Sequence, residues 1–268
     1  MHLFVFWRSL VLGSLLVFIS QVGLAQSQSP SAPPVRDPQA ISVLQSAIAA
    51  MGGTSAVAAI TDTTVSGMEP DLSNPGGPPV PFTFQTSGAE FRSTTQNASG
   101  VYTALSGHGV PAQLKHGNWV PLAPYVSRAV LPFHLPALVL YGEMQNANYT
   151  LQYVGTGTVD GNPAIHIHAA DTSDATGQLV TPQEWYFNPT TLLPVRVEYK
   201  LPDERNPQAY LLAWTEFSGY QTINGIAVPY QINFGAGYAS STIASVTSVT
   251  FNSGLPASTF DPPAAGAQ

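Results

Sequence analysis

Two regimes of hydrophobic spacing divide this chain. Between Asp37 and Ile60, apolar residues recur every three or four positions. Ala40, Val43, Leu44, Ala47, Ile48 and Met51 then share one face of a helix. Asp37-Pro38 supplies the start, an aspartate cap followed by proline at the first helical position. Gly52-Gly53 supplies the stop, and Thr54 can cap a second, short turn running to Ile60. The first helix is amphipathic but nearly free of charge, so it needs an apolar surface to cover.

From Thr61 onward the period falls to two. Pro81 to Ser87 places Phe82, Phe84 and Thr86 on one face. Glu90 to Gln96 and Val101 to Ser106 follow, then a hairpin about Gly117 between Leu114 and Trp119. Tyr149 to Val154 and Ala164 to Ala169 are joined through the turn pair Asp160-Gly161. Gln183 to Asn188, Pro194 to Lys200, Tyr210 to Phe217, Val228 to Phe234 and Thr242 to Phe251 continue the alternation. About ten strands with frequent turn signals predict an α+β domain built on one continuous antiparallel sheet, strongly curved or partly closed. Val120 to Met144 breaks the rhythm. It is rich in large apolar residues, among them Leu122, Tyr125, Val126, Val130, Leu131, Phe133, Leu135, Leu138, Val139, Leu140 and Tyr141, with four prolines and only two charges, Arg128 and Glu143. Pro136 can open a helix through Tyr141. The segment reads as a hydrophobic flap of short helices lying across a sheet face, either as fixed core cover or as a mobile lid.

Composition narrows the function classes. Charged residues are 9% of the 268, against about 25% in an average soluble domain. A coiled coil is excluded. Eight Lys and Arg against 15 Asp and Glu, net −7, give nothing to release counterions from phosphates, so nucleic acid is not expected as a partner. The absence of cysteine removes disulfides, thiolate metal sites and a Cys-linked lipid anchor. Residues 1–25 have the layout of a secretory signal peptide: Arg8, an apolar run from Leu10 to Ile19, and Gly23-Leu24-Ala25 before polar Gln26. Cleavage after Ala25 is expected to deliver the protein to the periplasm or outside the cell. Residues 26–36 read as a disordered linker, and 37–268 as a single domain.

Candidate chemistry is sparse. His166 and His168 stand two apart on a predicted strand and share a face, a spacing that can hold a metal given a third ligand. With Ile165 and Ile167 turned to the core, they read more simply as solvent-facing strand residues. There is no HExxH, GxSxG, S-x-x-K, Walker A or GxGxxG pattern. No catalytic residue and no cofactor is assigned.

Several phrases then form an ordered set: Ala50-Met51-Gly52-Gly53 followed by Val57-Ala58-Ala59-Ile60, and Tyr153-Val154-Gly155 followed by Val159-Asp160-Gly161 and Ile165-His166-Ile167. Trp185 to Arg196 (WYFNPTTLLPVR), Tyr220 to Pro229 (YQTINGIAVP) and Phe260-Asp261-Pro262 complete it. In this order, over about Asp37 to Pro263, the chain resembles the lipoprotein-localisation (LolA/LolB-like) superfamily of outer-membrane lipoprotein-sorting carriers. The resemblance implies an incomplete β-barrel wrapped around helices, with an apolar concave face able to hold acyl chains. The absence of cysteine sets it with the soluble branch.

The expected function is therefore a soluble, monomeric, non-enzymatic carrier of a hydrophobic small molecule or acyl chain, working with a membrane donor or acceptor protein. Candidate lining residues are Trp185, Phe187, Val195 and Trp214 from the sheet, with Phe133, Leu138 and Tyr141 from the flap. The same residues read as plain core. Two alternatives stay open: a scaffold or interaction module whose cavity is filled by its own side chains, and a secreted hydrolase or metalloenzyme around His166 and His168.

Overall fold

A computed structural model describes residues 33–262, apart from 72, 99, 116, 130, 132 and 238–240. The leader and most of the linker read from the sequence lie outside the described residues. In chain order the first elements are α1 (Pro38–Ala50), α2 (Thr54–Ala58), β1 (Asp62–Glu69), β2 (Val80–Ser87), β3 (Glu90–Asn97), β4 (Gly100–Gly107), β5 (Val110–Lys115) and β6 (Asn118–Pro121). There follow α3 (Pro124–Ala129), α4 (Pro136–Gln145), β7 (Tyr149–Val159), β8 (Asn162–Asp171), α5 (Ala175–Val180), β9 (Gln183–Phe187) and β10 (Pro194–Asp203). The last are β11 (Asn206–Ser218), β12 (Gln221–Ile223), β13 (Ile226–Val228), β14 (Gln231–Ala236), β15 (Thr242–Phe251) and a 3₁₀ turn, Ala257–Phe260. No helix among the described residues is long and apolar enough to cross a membrane.

Thirteen strands form one antiparallel sheet, in the order β6-β5-β4-β3-β2-β1-β15-β14-β11-β10-β9-β8-β7. The sheet is not closed: β6 and β7 are its two edges. The chain starts in the middle at β1, meanders to the edge at β6, crosses to the opposite edge at β7 and meanders back until β15 pairs with β1. The crossing is the proline-cut flap, now seen as α3 and α4. Its length and apolarity follow from this route, because it must traverse the inner face rather than turn at an edge. The sheet curls strongly. Gln113 on β5 donates to Glu204 in the β10–β11 turn at 2.8 Å, although eight places separate β5 from β10 in the sheet order. Tyr125 on α3 donates to the Asp203 carbonyl at 2.7 Å beside it.

The core lies inside the curl. Ala40, Leu44, Ala47, Ile48 and Met51 are all fully buried, so the helical spacing in the sequence gives α1 its packing face. Asp37 caps α1, its carboxylate accepting from the Gln39 amide at 2.8 Å. Asp160 and Gly161 both have positive φ, 48° and 78°, the conformation of a tight two-residue hairpin between β7 and β8.

Three features differ from the sequence reading. The sheet has thirteen strands rather than about ten. Val228 to Phe234 is two strands, because Pro229 lacks the N–H a continuous ladder needs; β13 pairs with β12 in a separate ribbon, and β14 rejoins the large sheet. The end of the linker is also ordered. Arg36 bridges to Leu151 in parallel, and the Asp37 amide donates to the Leu151 carbonyl at 2.9 Å, covering part of the β7 edge. The Arg36 guanidinium also donates to the carbonyls of Met144, Asn146 and Tyr149, closing the C-terminus of α4.

Gly52 is required by close approach as well as by its φ of +127°. A Cβ there would lie 2.5 Å from the Gly225 carbonyl oxygen, where the ribbon turn docks on the end of α1. Gly52→Ala is expected to lower stability by about 1–3 kcal/mol, the cost of a strained backbone. Urea unfolding of the variant measures this; an unchanged midpoint would mean the ribbon is not docked there.

Candidate functional site

Two cavities lie between the flap and the inner face of the sheet. The larger, about 670 Å³, is walled by Phe82, Phe84 and Phe91 from β2 and β3, by Leu122, Val126, Leu131 and Phe133 from the flap, and by Tyr199, Ile232 and Phe234 from the far half of the sheet. The second, about 490 Å³, lies between α4 and β1–β3, against Leu138, Val139, Tyr141 and Glu143. Phe91, Ser127 and Leu131 border both. Each volume falls in the range of small-molecule sites, about 300–1,000 Å³.

Part of the sheet wall of the larger cavity is built from small side chains, which leaves depth between the bulkier ones. The alternation of β3 turns Phe91, Ser93 and Thr95 inward, and Ala104, Gln113, Thr215 and Thr242 continue that wall. Opposite stand the bulky flap residues, which cannot fill the depth left by Ser, Thr and Ala. Small inward-facing positions were the signal for a cavity, and attention to large aromatics passes over it.

The candidate lining residues divide into three groups. Phe133 borders the larger cavity, and Leu138 and Tyr141 border the second. Trp185 and Phe187 point inward but are fully buried in solid core. Trp185 lies edge-on to Phe133 at 5.9 Å and is stacked with Phe217 at 6.2 Å, and its indole N–H donates to Gln183 Oε1 at 2.9 Å. Trp214 and Val195 border neither cavity. Thr215 faces the larger cavity, so its neighbour Trp214 faces outward, beneath the Arg196 guanidinium at 4.9 Å. Val195 sits half-buried at the irregularity between Pro194 and Arg196.

The two histidines are on the outer face, as the inward turn of Ile165 and Ile167 requires. His166 Nε2 and His168 Nδ1 bond opposite oxygens of Glu184, at 2.6 and 2.8 Å. Burial pushes the Glu184 carboxyl up, but the bonds from His168 and His166 outweigh it and hold it below its ordinary range. No group of three His, Asp or Glu placed to hold a metal occurs among the described residues.

Three of the titratable groups bordering the cavities are unusual. Burial drives the His134 imidazole down to about 4, so it stands neutral between Phe82 and Phe84, 4.8 Å from the latter's ring. Burial pushes Glu143 up to about 8; the residue is 3% exposed, and neither carboxyl oxygen makes a hydrogen bond of good geometry. Burial also pushes Asp62 up, but donations from Ser253 Oγ and the Gly254 and Ser253 amides outweigh it, so this carboxylate is held ionised.

The sequence matches no family model and no curated protein. Solved structures do match. A LolA superfamily protein from Nitrosomonas europaea superposes with a TM-score of 0.53 at 12% identity, covering 83% of this chain and 97% of its own. A domain described as an outer-membrane lipoprotein-sorting protein, from Vibrio parahaemolyticus, gives 0.51 at 12% identity over 82% and 95%. A DUF1329 family protein from Desulfovibrio piger gives 0.51 at 16% identity over 84% and 98%. At these identities the likeness is one of architecture: an open, curled antiparallel sheet with helices on its inner side, which is the LolA-like fold.

Proposed function

We propose that this protein binds a hydrophobic ligand between its flap and the inner face of its sheet and carries it, without catalysing a reaction. The observation that supports this most is the pair of adjoining, largely apolar cavities, which leave unfilled space where a self-filled scaffold would have side chains. The fold shared with a lipoprotein-sorting domain is consistent with an acyl-chain ligand. Burying an alkyl chain contributes about 0.8 kcal/mol per CH₂, so a dozen methylenes suffice for useful affinity without a charged site. The leader read in residues 1–25 supports work in the periplasm or outside the cell, where a membrane donor or acceptor protein is the expected partner.

Native mass spectrometry of protein purified from a bacterial periplasm without detergent tests this. A stoichiometric mass increment that extracts into organic solvent is expected. Leu131→Trp, which fills the boundary between the two cavities, is expected to reduce occupancy about tenfold or more while the protein stays folded. A bare polypeptide mass, with no uptake of added long-chain compounds, would instead support the scaffold reading.

A further inference from the structure

The walls of both cavities have a charge character that hydrophobic binding alone does not call for. The cavity beneath α4 is bordered by three carboxyl groups, on Asp62, Glu90 and Glu143, and by no Lys, Arg or His among the described residues. The larger cavity repeats the pattern, with Glu69, Asp71 and Glu204 and no Lys or Arg; its one imidazole, His134, is held neutral by burial. Among these groups Glu143 is distinctive. It is almost wholly buried on the wall, and neither oxygen makes a hydrogen bond of good geometry, although the Gln183 and Trp185 side chains offer it donors. A buried carboxyl left unmatched is destabilising, and such groups in native proteins call for an explanation.

The neighbours of Glu143 do not supply a cation. Tyr149 faces it from β7, and Gln183 and Trp185 from β9. α1, α2 and β13, which also pack on α4, carry no titratable residue. Arg128 acts on the same region through Tyr149, but its guanidinium is held by Asp171 at 2.7 Å and Asp174 at 2.9 Å and does not border the cavity.

We infer that the cavity beneath α4 selects an amphiphile whose polar end is a protonated amine, seated against Glu143 with its alkyl chain along Leu138, Tyr141 and Phe91. This rests on the carrier reading and names the ligand class within it. An ammonium brings well-directed N–H donors and the opposite charge to an acceptor that has no cation beside it and only the ill-aligned donors of Gln183 and Trp185. When it binds, the Glu143 proton leaves to solvent and an ion pair forms in its place. A carboxylate or phosphate head would bring a like charge against a wall that carries carboxyl groups and no Lys, Arg or His, which is discrimination by repulsion.

The test compares dodecylamine, dodecanol and dodecanoate by calorimetry on the protein purified from a bacterial periplasm, near neutral pH. The amine is expected to bind about tenfold or more tightly than the alcohol, and the carboxylate most weakly. Amine affinity is expected to rise from about pH 6 to about pH 8, as less work is needed to ionise Glu143. Glu143→Gln is expected to erase the preference for the amine over the alcohol. Equal binding of amine and alcohol by the wild-type protein, or tightest binding of dodecanoate, would overturn the inference while leaving a carrier. Failure of all three probes to bind folded protein would overturn the carrier reading itself. The head-group comparison on the wild-type protein decides the matter even if the variant does not fold.

Discussion

Glu143→Gln is expected to make the protein more stable at pH 8 by several kcal/mol, and by little at pH 4. The carboxyl titrates near 4.5 in the unfolded chain and near 8 in the folded protein. Between those values the folded state keeps a proton that the unfolded state has lost. Stability therefore falls as pH rises through this window, by up to about 1.4 kcal/mol per unit, and the full cost is present above the folded value. The whole window corresponds to a loss on the order of 4–5 kcal/mol at most. Glutamine keeps the shape, carries no charge at any pH and removes that slope. Urea unfolding of both proteins at about pH 4, 6 and 8 isolates the effect, since every other titrating group is common to the two. Superimposable pH profiles would show that Glu143 is solvated in solution.

Trp185→Ala is expected to cost about 3–5 kcal/mol, the range for deleting a large aromatic from a well-packed core. Trp185 has no exposed surface and touches Phe133 on the flap as well as Phe187 and Phe217 on the sheet, so its loss opens a void where the flap rests on the sheet. It also leaves Gln183 Oε1 without its indole donor. Trp214→Ala, on the outer face, is expected to cost about 1 kcal/mol, for a half-exposed ring beneath Arg196. Denaturation midpoints of the two variants compare them directly. Equal costs would mean that the assignment of inner and outer faces in β9 or β11 is wrong.

The contrast between these two tryptophans shows where sequence patterning stops. Alternation within a strand says that Trp185 and Phe187 share a face, and α1 and the positions of most strands were legible for the same reason: local spacing, caps and turn pairs determine them. Alternation does not say which face is concave. For β11 the aromatic bulk of Trp214 suggested inward, yet the register Val197↔Thr215 turns the smaller Ala213, Thr215 and Phe217 inside and leaves Trp214 outside beneath the Arg196 guanidinium. The cavities were illegible for a related reason. A void is a deficit of volume between segments far apart in the chain, such as Ser93 and Thr95 on β3 against Leu131 and Phe133 on the flap. No window of sequence contains both sides. The isolation of Glu143 is likewise a property of its surroundings: in the chain it is one of two charges in a hydrophobic stretch, and only packing shows that Arg128, the other, is engaged elsewhere.

The route of the chain through the sheet also governs how it must be assembled. β1 and β15 are neighbours at the middle of the sheet, and Thr63 pairs with Phe251 across almost the whole described chain. The hairpins on either side close short loops, which form in microseconds, whereas this pairing carries the largest entropy of loop closure in the molecule. Synthesis delivers β1 well before β15. Until then β1 is an unpaired strand edge, hydrogen-bonded to β2 on one side and open on the other. The nascent protein thus passes through a stage with two half-sheets and an adhesive centre, where aggregation competes with completion. Folding is then limited by the arrival and docking of the final strands, and truncations that remove β15 act on the centre of the sheet although they cut only the end of the chain.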